Sequence, residues 1–295
     1  MAVVTGPLGT LSHDELGVIF DGLANPINPI VAVALSSTCH GLRTPLHSAL
    51  ALLQESHQKA VQLLVRHELR DMRCSDLLDA DEVRFGDIRG ITTDEMKTLG
   101  LILRTNSFPK LNTLVLHNIR SGDTSMEYLC EGLSHFVRPS LRKLFIFTSE
   151  LGPASAEAFA AALAKGSMPN LWNLGLCRNQ CGDAGMKALA PALRAHPSLQ
   201  ALHMWGSEMG DEGVAALFDG LSQDELKSLM FVDFDRNHCT DKACATLVAA
   251  VDAGAVPSLQ DVLIEENVAV SDESRKAVRT ALKKPDPEEQ QGGDD

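Results

Sequence analysis

The sequence predicts an α/β solenoid, in which short parallel strands alternate with helices and each unit packs only on its neighbours. Three observations support this fold class. Five of the six units have a proline two positions before their first leucine. Within each unit the apolar spacing changes from the period of a strand to that of a helix. The units recur at steps of 30, 30, 28, 30 and 30 residues, starting at Leu111, Leu141, Leu171, Leu199, Leu229 and Leu259.

The first part of each unit is predicted to be a strand, because its apolar residues follow the alternating pattern L-x-x-L-x-L. In the third unit the last two of these residues are Leu174 and Leu176. An amide side chain can donate and accept hydrogen bonds, so an asparagine just after the strand is expected to bind open backbone groups at the turn. Three units carry one eight residues after their start, at Asn179, Asn237 and Asn267.

A Gly-Asp pair marks the turn that follows the strand, as in Gly182-Asp183 and Gly210-Asp211. Glycine tolerates the turn geometry, and we expect the aspartate to cap the helix of its own unit. The helix is indicated by apolar residues spaced i, i+3, i+7. In the third unit these are Met186, Leu189 and Leu193.

A strand, turn and helix of 28 to 30 residues resemble the long leucine-rich repeats of the ribonuclease-inhibitor type. The resemblance covers residues 80–284, about seven repeats if a degenerate first one with Val83 and Phe85 is included. It implies a curved leucine-rich repeat solenoid with parallel strands on the concave face and helices on the convex face. Residues 285–295, rich in Glu, Asp, Pro, Gln and Gly, are expected to be a disordered acidic tail.

The amino-terminal part is predicted to be helical. Residues 1–10 are expected to be disordered, 11–45 to form a small all-helical segment, and 46–79 a helical linker or cap. The apolar pattern of residues 11–43 resembles an F-box, although the usual proline after the first leucine is Ser12 here. The resemblance implies docking to a Skp-type adaptor through Leu11, Leu16, Ile19, Phe20, Leu23, Leu35, Cys39 and Leu42. The alternative is that this segment only caps the exposed end of the solenoid.

The strand residues that alternate with the buried ones are expected to face outward and to bind a protein partner. Four large aromatic residues fall on such positions, and aromatic side chains are enriched at interface hot spots. Acidic residues are predicted to lie beside them. The predicted partner-binding residues of the concave face are Val115, His117, Phe145, Phe147, Cys177, His203, Trp205, Phe231, Asp233, Asp235, Asp261 and Glu265.

Composition narrows the class of partner. The net charge is −13, which disfavours binding to a nucleic-acid backbone and favours a basic protein partner. No stretch is apolar and long enough to span a membrane, and no secretory signal is visible at the start. Seven cysteines, an odd number, suit reduced thiols in the cytoplasm or nucleus. We expect a monomer.

Nothing in the sequence indicates an enzyme, a cofactor or a metal site. There is no Gly-rich loop ending in Gly-Lys-Ser/Thr, no His-Glu-x-x-His and no Cys-x-x-Cys. Cys239 and Cys244 fall at core positions of the repeat, which makes a metal cluster with His238 a poor interpretation. Cys177 and His203 lie on neighbouring predicted strands, and chance adjacency explains them better than a catalytic pair.

Three function classes therefore remain. The first is a substrate-recognition adaptor of a ubiquitin ligase, which is the best specific hypothesis because an F-box-like segment precedes a repeat array. The second is a stand-alone regulator or inhibitor whose fold is similar to that of ribonuclease inhibitors. The third is a GTPase regulator, by resemblance to the Ran GTPase activators, which use similar long repeats. In all three classes the repeat array binds a protein partner and catalyses no reaction itself.

Overall fold

The computed structural model describes residues 25, 29, 32–33, 47–67, 78–86, 90–105, 108–120 and 122–283. In these ranges a first helix is followed by strands and helices in strict alternation. The helices are α1 His47–Arg66, α2 Thr93–Arg104, α3 Gly122–Ser134, α4 Pro153–Ala164, α5 Gly182–Arg194, α6 Asp211–Phe218, α7 Asp241–Asp252 and α8 Asp272–Ala281. The strands are β1 Glu82–Phe85, β2 Thr113–His117, β3 Lys143–Phe147, β4 Asn173–Gly175, β5 Ala201–His203, β6 Phe231–Asp233 and β7 Asp261–Leu263.

The seven strands form one parallel sheet in the order of the sequence, β1 to β7. Each strand pairs with the next at the same repeat position, so equivalent residues lie side by side. Leu144, Leu174 and Leu202, for example, are direct neighbours and are fully buried. This arrangement is a leucine-rich repeat solenoid, with the strands on one face and the helices on the other.

The core is a single apolar layer between the sheet and the helices. The helices of the repeats from α2 to α7 contribute apolar stripes to it, as in α5, where Met186, Leu189 and Leu193 are buried. The thiols of Cys239 and Cys244 are buried in the same layer, which confirms their prediction as core residues. Burial of such side chains contributes about 1.5–3 kcal/mol each before the entropy cost of ordering the chain.

The predicted asparagines form a ladder at the end of the strands and reach further than expected. The amide of Asn237 accepts from the N–H groups of Ser207 and Met209, in the preceding repeat, at 2.9 and 3.0 Å. It also donates to the carbonyl of Met204 in that repeat and to that of Phe234 in its own, at 2.8 and 3.0 Å. Each asparagine therefore joins two repeats as well as closing its own turn.

The aspartates of the Gly-Asp pairs cap the helices of the following repeats rather than the predicted helices of their own repeats. Asp183, in the first turn of α5, accepts from the N–H groups of Gly210 and Gly213 at 2.7 Å each. These groups lie at the start of α6, one repeat later. The prediction was wrong about the helix because the parallel stacking brings the next helix start directly against this carboxylate. The same contact is made by Asp123, Asp211 and Asp241.

Helix α1 covers the amino-terminal end of the helix layer. Its Ala60, Leu63 and Leu64 belong to the common core. Just beyond the helix, the ring of His67 is buried, and its Nδ1 accepts from the N–H of Gly86 at 3.2 Å. These contacts tie the segment that precedes the repeats to the first strand. At the other end α8 buries one residue, Val278, and presents a polar outer surface.

Candidate protein-binding surface

The strand face carries the residues predicted to bind a partner, and their exposure is uneven. His117 and Glu265 are exposed, whereas nine others are partly exposed: Phe145, Phe147, Cys177, His203, Trp205, Phe231, Asp233, Asp235 and Asp261. Val115 is only 6% exposed, so the expectation that it contacts a partner was wrong. Its direct neighbours in the sheet are Arg84 on β1 and Phe145 on β3.

Four rings form a continuous series across the strands, which we call the aromatic row. The rings of Phe147 and Phe145, both on β3, are stacked with centroids 5.5 Å apart. Phe145 is 6.2 Å from the ring of His203 on β5, and His203 is 5.0 Å from Phe231 on β6. The row therefore runs from β3 to β6, perpendicular to the strands.

The row can cross β4 because that strand has a glycine at this position. Gly175 is paired with Phe145 on one side and His203 on the other. A Cβ atom there would lie 2.5 Å from Cδ1 of Phe145, closer than packed atoms approach. The absence of a side chain lets the Phe145 ring lie over β4 and meet His203 two strands away.

Trp205, which is predicted to face outward like the phenylalanines, has two arginines as its ring partners. The guanidinium carbon of Arg178 is 4.4 Å from the indole centroid, and that of Arg236 is 5.0 Å from it. Both arginines are seven residues after their repeat start and have positive φ angles of 53°. Gly206 has the same place in the repeat between them, and a Cβ atom there would lie 3.6 Å from Cγ of Arg178.

Arg178 and Arg236 belong to this face but are absent from the residues that the strand alternation predicts for it. Their position in the repeat, directly after the outward strand positions, was the available signal. A guanidinium stacked on an indole gains about 0.5–1 kcal/mol at an exposed site and loses rotational freedom. The two arginines therefore hold Trp205 in one orientation beside the row.

The carboxyl-terminal side of the face is acidic. The carboxylate of Asp233 accepts from the N–H of Asp235 at 3.1 Å, and that of Asp235 accepts from the N–H of Glu266 at 3.0 Å. Burial, with smaller contributions from the charges of Asp235 and Glu266, raises the pKa of Asp233. Burial also lowers the pKa of His203, so its ring is neutral at pH 7 and acts as an uncharged member of the row.

The thiols on and behind this face are poorly ionised. Burial raises the pKa of Cys177 to about 11, of Cys244 to about 11 and of Cys239 to about 12. A thiol at such values is protonated at neutral pH and is a weak nucleophile and ligand. In the part of the chain that the structure describes, no group of three or more His, Cys, Asp or Glu residues could hold a metal ion.

The residues predicted to dock an adaptor lie outside the described residues. They are Leu11, Leu16, Ile19, Phe20, Leu23, Leu35, Cys39 and Leu42. Among the described helices, none is long and apolar enough to cross a bilayer.

The fold and its strand face define a leucine-rich repeat solenoid with an aromatic row and an acidic side. No family model matches the chain. Among curated proteins, NACHT, LRR and PYD domains-containing protein 3 of Macaca mulatta is 27% identical over 173 residues, and the Homo sapiens protein of that name is 26% identical over 173 residues. Each match covers 50% of this chain but only 16% of the relative, so the chain spans a small part of their length.

Solved structures give likenesses of low overall score. Leiomodin-1 actin-binding site 2 has a TM-score of 0.42 and 17% identity, covering 52% of this chain and 85% of that one. The Rad7–Elc1 complex of yeast gives 0.38 and 14%, covering 81% and 76%. The complex of TLR13 with ssRNA13 gives 0.28 and 18%, covering 55% and 26%. These likenesses carry no function over to this chain.

Proposed function

We propose that this chain is a non-catalytic protein-interaction module that binds its partner on the concave strand face. The observation that carries this proposal is the aromatic row, whose four rings are in contact with one another and remain partly exposed on the parallel sheet. Solvent contact of contiguous apolar rings is unfavourable, and such patches usually mark a binding surface. Because the rings are already ordered, a partner that covers them loses little further entropy.

The experiment compares partner capture by the full chain and by a variant of its strand face. We expect Trp205→Ala with Phe147→Ala to reduce the partners recovered in a pull-down, quantified by mass spectrometry, at least about tenfold, as loss of interface anchors does. The melting temperature should fall by less than about 4 °C, which corresponds to about 1 kcal/mol. A larger loss of stability would identify these rings as core residues and contradict the proposal.

A matched control uses exposed apolar residues away from the strand face. Phe136 and Val137 follow α3 and are 43% and 65% exposed. Phe136→Ala with Val137→Ala should leave partner capture unchanged. Equal losses in both double variants would mean that the pull-down reports non-specific adhesion rather than binding on the concave face.

The more specific hypothesis is a substrate-recognition adaptor of a ubiquitin ligase. It is supported by the F-box-like pattern of residues 11–43 ahead of the repeat array. On this hypothesis, residues 11–43 bind a Skp-type adaptor and the concave face recruits the substrate. Deleting residues 1–45 should abolish co-purification of that adaptor while substrate capture persists. An unchanged amount of co-purified adaptor would exclude this role.

The alternative is a stand-alone regulator or inhibitor, in which the helices before the repeats only cap the solenoid. The packing of α1 supports this alternative, because its Ala60, Leu63 and Leu64 fill the core beside the first repeat. Partner capture that is independent of a Skp-type adaptor, together with lower stability after deletion of 1–45, would support this role. Stimulation of GTP hydrolysis by an added GTPase would support the GTPase-regulator form of it.

A further inference from the structure

Two carboxylates on β6 and just after it lack a cationic partner among the described residues. Asp233 and Asp235 each accept one backbone N–H, and neither forms an ion pair with a residue that the structure describes. The acidic residues of the next repeat differ, because Glu265 pairs with Arg279 at 2.7 Å and Glu266 pairs with Arg236. Asp233 and Asp235, which we call the acidic pair, therefore carry the unneutralised negative charge of this side.

The acidic pair lies at the end of the aromatic row. Phe231, the last ring of the row, is two residues before Asp233 on the same face of β6. Asp233 is also the direct neighbour of His203 in the sheet. An object that covers His203 and Phe231 would thus meet the carboxylate of Asp233, one strand spacing of about 4.8 Å from His203. The carboxylate of Asp235 follows it just after the end of β6.

The surroundings of Asp233 are unfavourable for its charge in the isolated protein. Burial, followed by repulsion from Asp235 and Glu266, raises its pKa. Keeping Asp233 ionised in these surroundings lowers the free energy of unfolding. A cationic group that binds beside it offsets this loss. A charge-assisted hydrogen bond from a lysine or arginine supplies this compensation and orients the donor.

We propose that the partner of the concave face binds as a segment lying across β3–β6, with apolar side chains over the aromatic row and a lysine or arginine on Asp233 and Asp235. This inference rests on the proposed function and makes the acidic pair the residues that determine partner specificity. From β3 to β6 the distance is about 14 Å at 4.8 Å per strand. An extended chain covers that distance in about four residues, which sets the separation between the anchor over Phe145 and the cationic residue.

The test uses a phage-displayed library of random peptides, each about 12 residues long and so able to span the row. The library is selected on the full chain, and the enriched peptides are synthesised for fluorescence anisotropy. We expect an aromatic or large aliphatic residue about four positions from a Lys or Arg. Their Kd should rise at least about tenfold for Asp233→Asn with Asp235→Asn, and should also rise with salt as exposed ion pairs are screened.

Matched variants make the result interpretable. The asparagine side chain keeps an acceptor for the N–H groups that these carboxylates bind, so the variant retains its backbone contacts. Glu127→Gln with Asp252→Asn removes the same charge from exposed positions on the helices and should leave the Kd within about twofold, as expected for distant surface charges. If this control weakens binding as much as the acidic-pair variant, overall charge explains the effect and the inference is wrong.

The remaining outcomes separate the inference from the proposed function. Peptides that lose binding to Phe145→Ala but not to the acidic-pair variant would overturn the inference and leave the concave face as the binding surface. Enriched peptides that are indifferent to both variants, or no enrichment at all, would contradict both. Enrichment of acidic peptides would also overturn the inference.

Discussion

The ring of Phe145 lies over the backbone of Gly175, so that β4 contributes an empty position rather than a side chain to the middle of the aromatic row. This relationship joins β3 to β5 through Phe145 and His203. A glycine is therefore required at position 175, because the ring of Phe145 lies directly above it. It makes Gly175 a sensitive position for testing whether the row acts as a unit.

Gly175→Ala should displace the Phe145 ring and separate it from His203. The new Cβ would lie 2.5 Å from Cδ1 of Phe145 and 3.3 Å from Cε1 of Phe147. We expect a loss of about 1–2 kcal/mol in urea denaturation, as for modest overpacking, and weaker peptide binding. In a Phe145→Ala background the same substitution should cost much less, since the clash is gone. Equal costs in both backgrounds would contradict this geometry.

Asn237→Ala should be strongly destabilising because it leaves buried backbone groups of two repeats unpaired. The amide accepts from Ser207 and Met209 and donates to Met204 and Phe234. We expect the unfolding free energy to fall by about 2–4 kcal/mol, given about 1–3 kcal/mol per unsatisfied group.

The control for the asparagine ladder is an exposed asparagine with one hydrogen bond. Asn170 donates to the carbonyl of Pro139 at 2.8 Å. Asn170→Ala should change the unfolding free energy by no more than about 0.5 kcal/mol, as is usual for surface substitutions. Similar losses for the two variants would mean that Asn237 contributes as an ordinary polar residue.

Asp233→Asn should raise the stability of the free protein at pH 7. The pKa of Asp233 is higher in the folded protein than in the unfolded chain, because burial, with Asp235 and Glu266 nearby, disfavours the charged form. The ionised group therefore lowers the unfolding free energy above the folded pKa, and this penalty disappears as the pH falls below the unfolded value. His203 on β5 is the titratable neighbour of Asp233 across the sheet, and its pKa is lowered by burial.

The measurement is urea denaturation of the wild type and the variant between pH 7 and pH 4. The advantage of Asp233→Asn should be greatest at pH 7 and narrow towards acid. Glu127→Gln, at an exposed position in the middle of α3, is the control for loss of a surface charge and should change the unfolding free energy by no more than about 0.5 kcal/mol. A variant less stable than the wild type at pH 7 would mean that Asp233 is a structural residue rather than a poised binding group.

Cys177 should react slowly with iodoacetamide at neutral pH. Burial raises its pKa to about 11 from an ordinary value of 9.0, so the thiolate is about a hundredfold scarcer than in an unfolded chain. Peptide mass spectrometry of protein labelled with and without urea measures the ratio of the two labelling rates at Cys177. Labelling of the folded protein should accelerate as the pH rises to about 11, the pKa of this thiol. Modification at pH 7 as fast as in urea would reopen the question of a nucleophilic role.

The repeat architecture is predictable because each unit carries the same spacing of apolar residues in its own sequence. Asn179, Asn237 and Asn267 recur with the leucines, and their role at the end of the strand follows from local chemistry. The contacts between units are less predictable. Asp183 caps the helix of the next repeat, since its partner is set by how the repeats stack rather than by the neighbouring sequence.

The binding face was predictable in position but not in its contacts. Alternation along the strands places Phe145, His203 and Phe231 outward. It does not reveal that Val115 is buried, or that two arginines stack on Trp205, because both depend on how the side chains of adjacent repeats pack.

The two polar ladders point in opposite directions along the chain. Each aspartate completes the helix of the repeat that follows, whereas each asparagine completes the turn of the repeat before it. An internal unit thus depends on both neighbours for its buried polar groups. Cleavage within the array would leave buried hydrogen-bond donors and acceptors without partners on each side of the break. Local melting should therefore spread in both directions, and the solenoid should unfold cooperatively rather than repeat by repeat. During synthesis, no unit is complete until the next one has emerged.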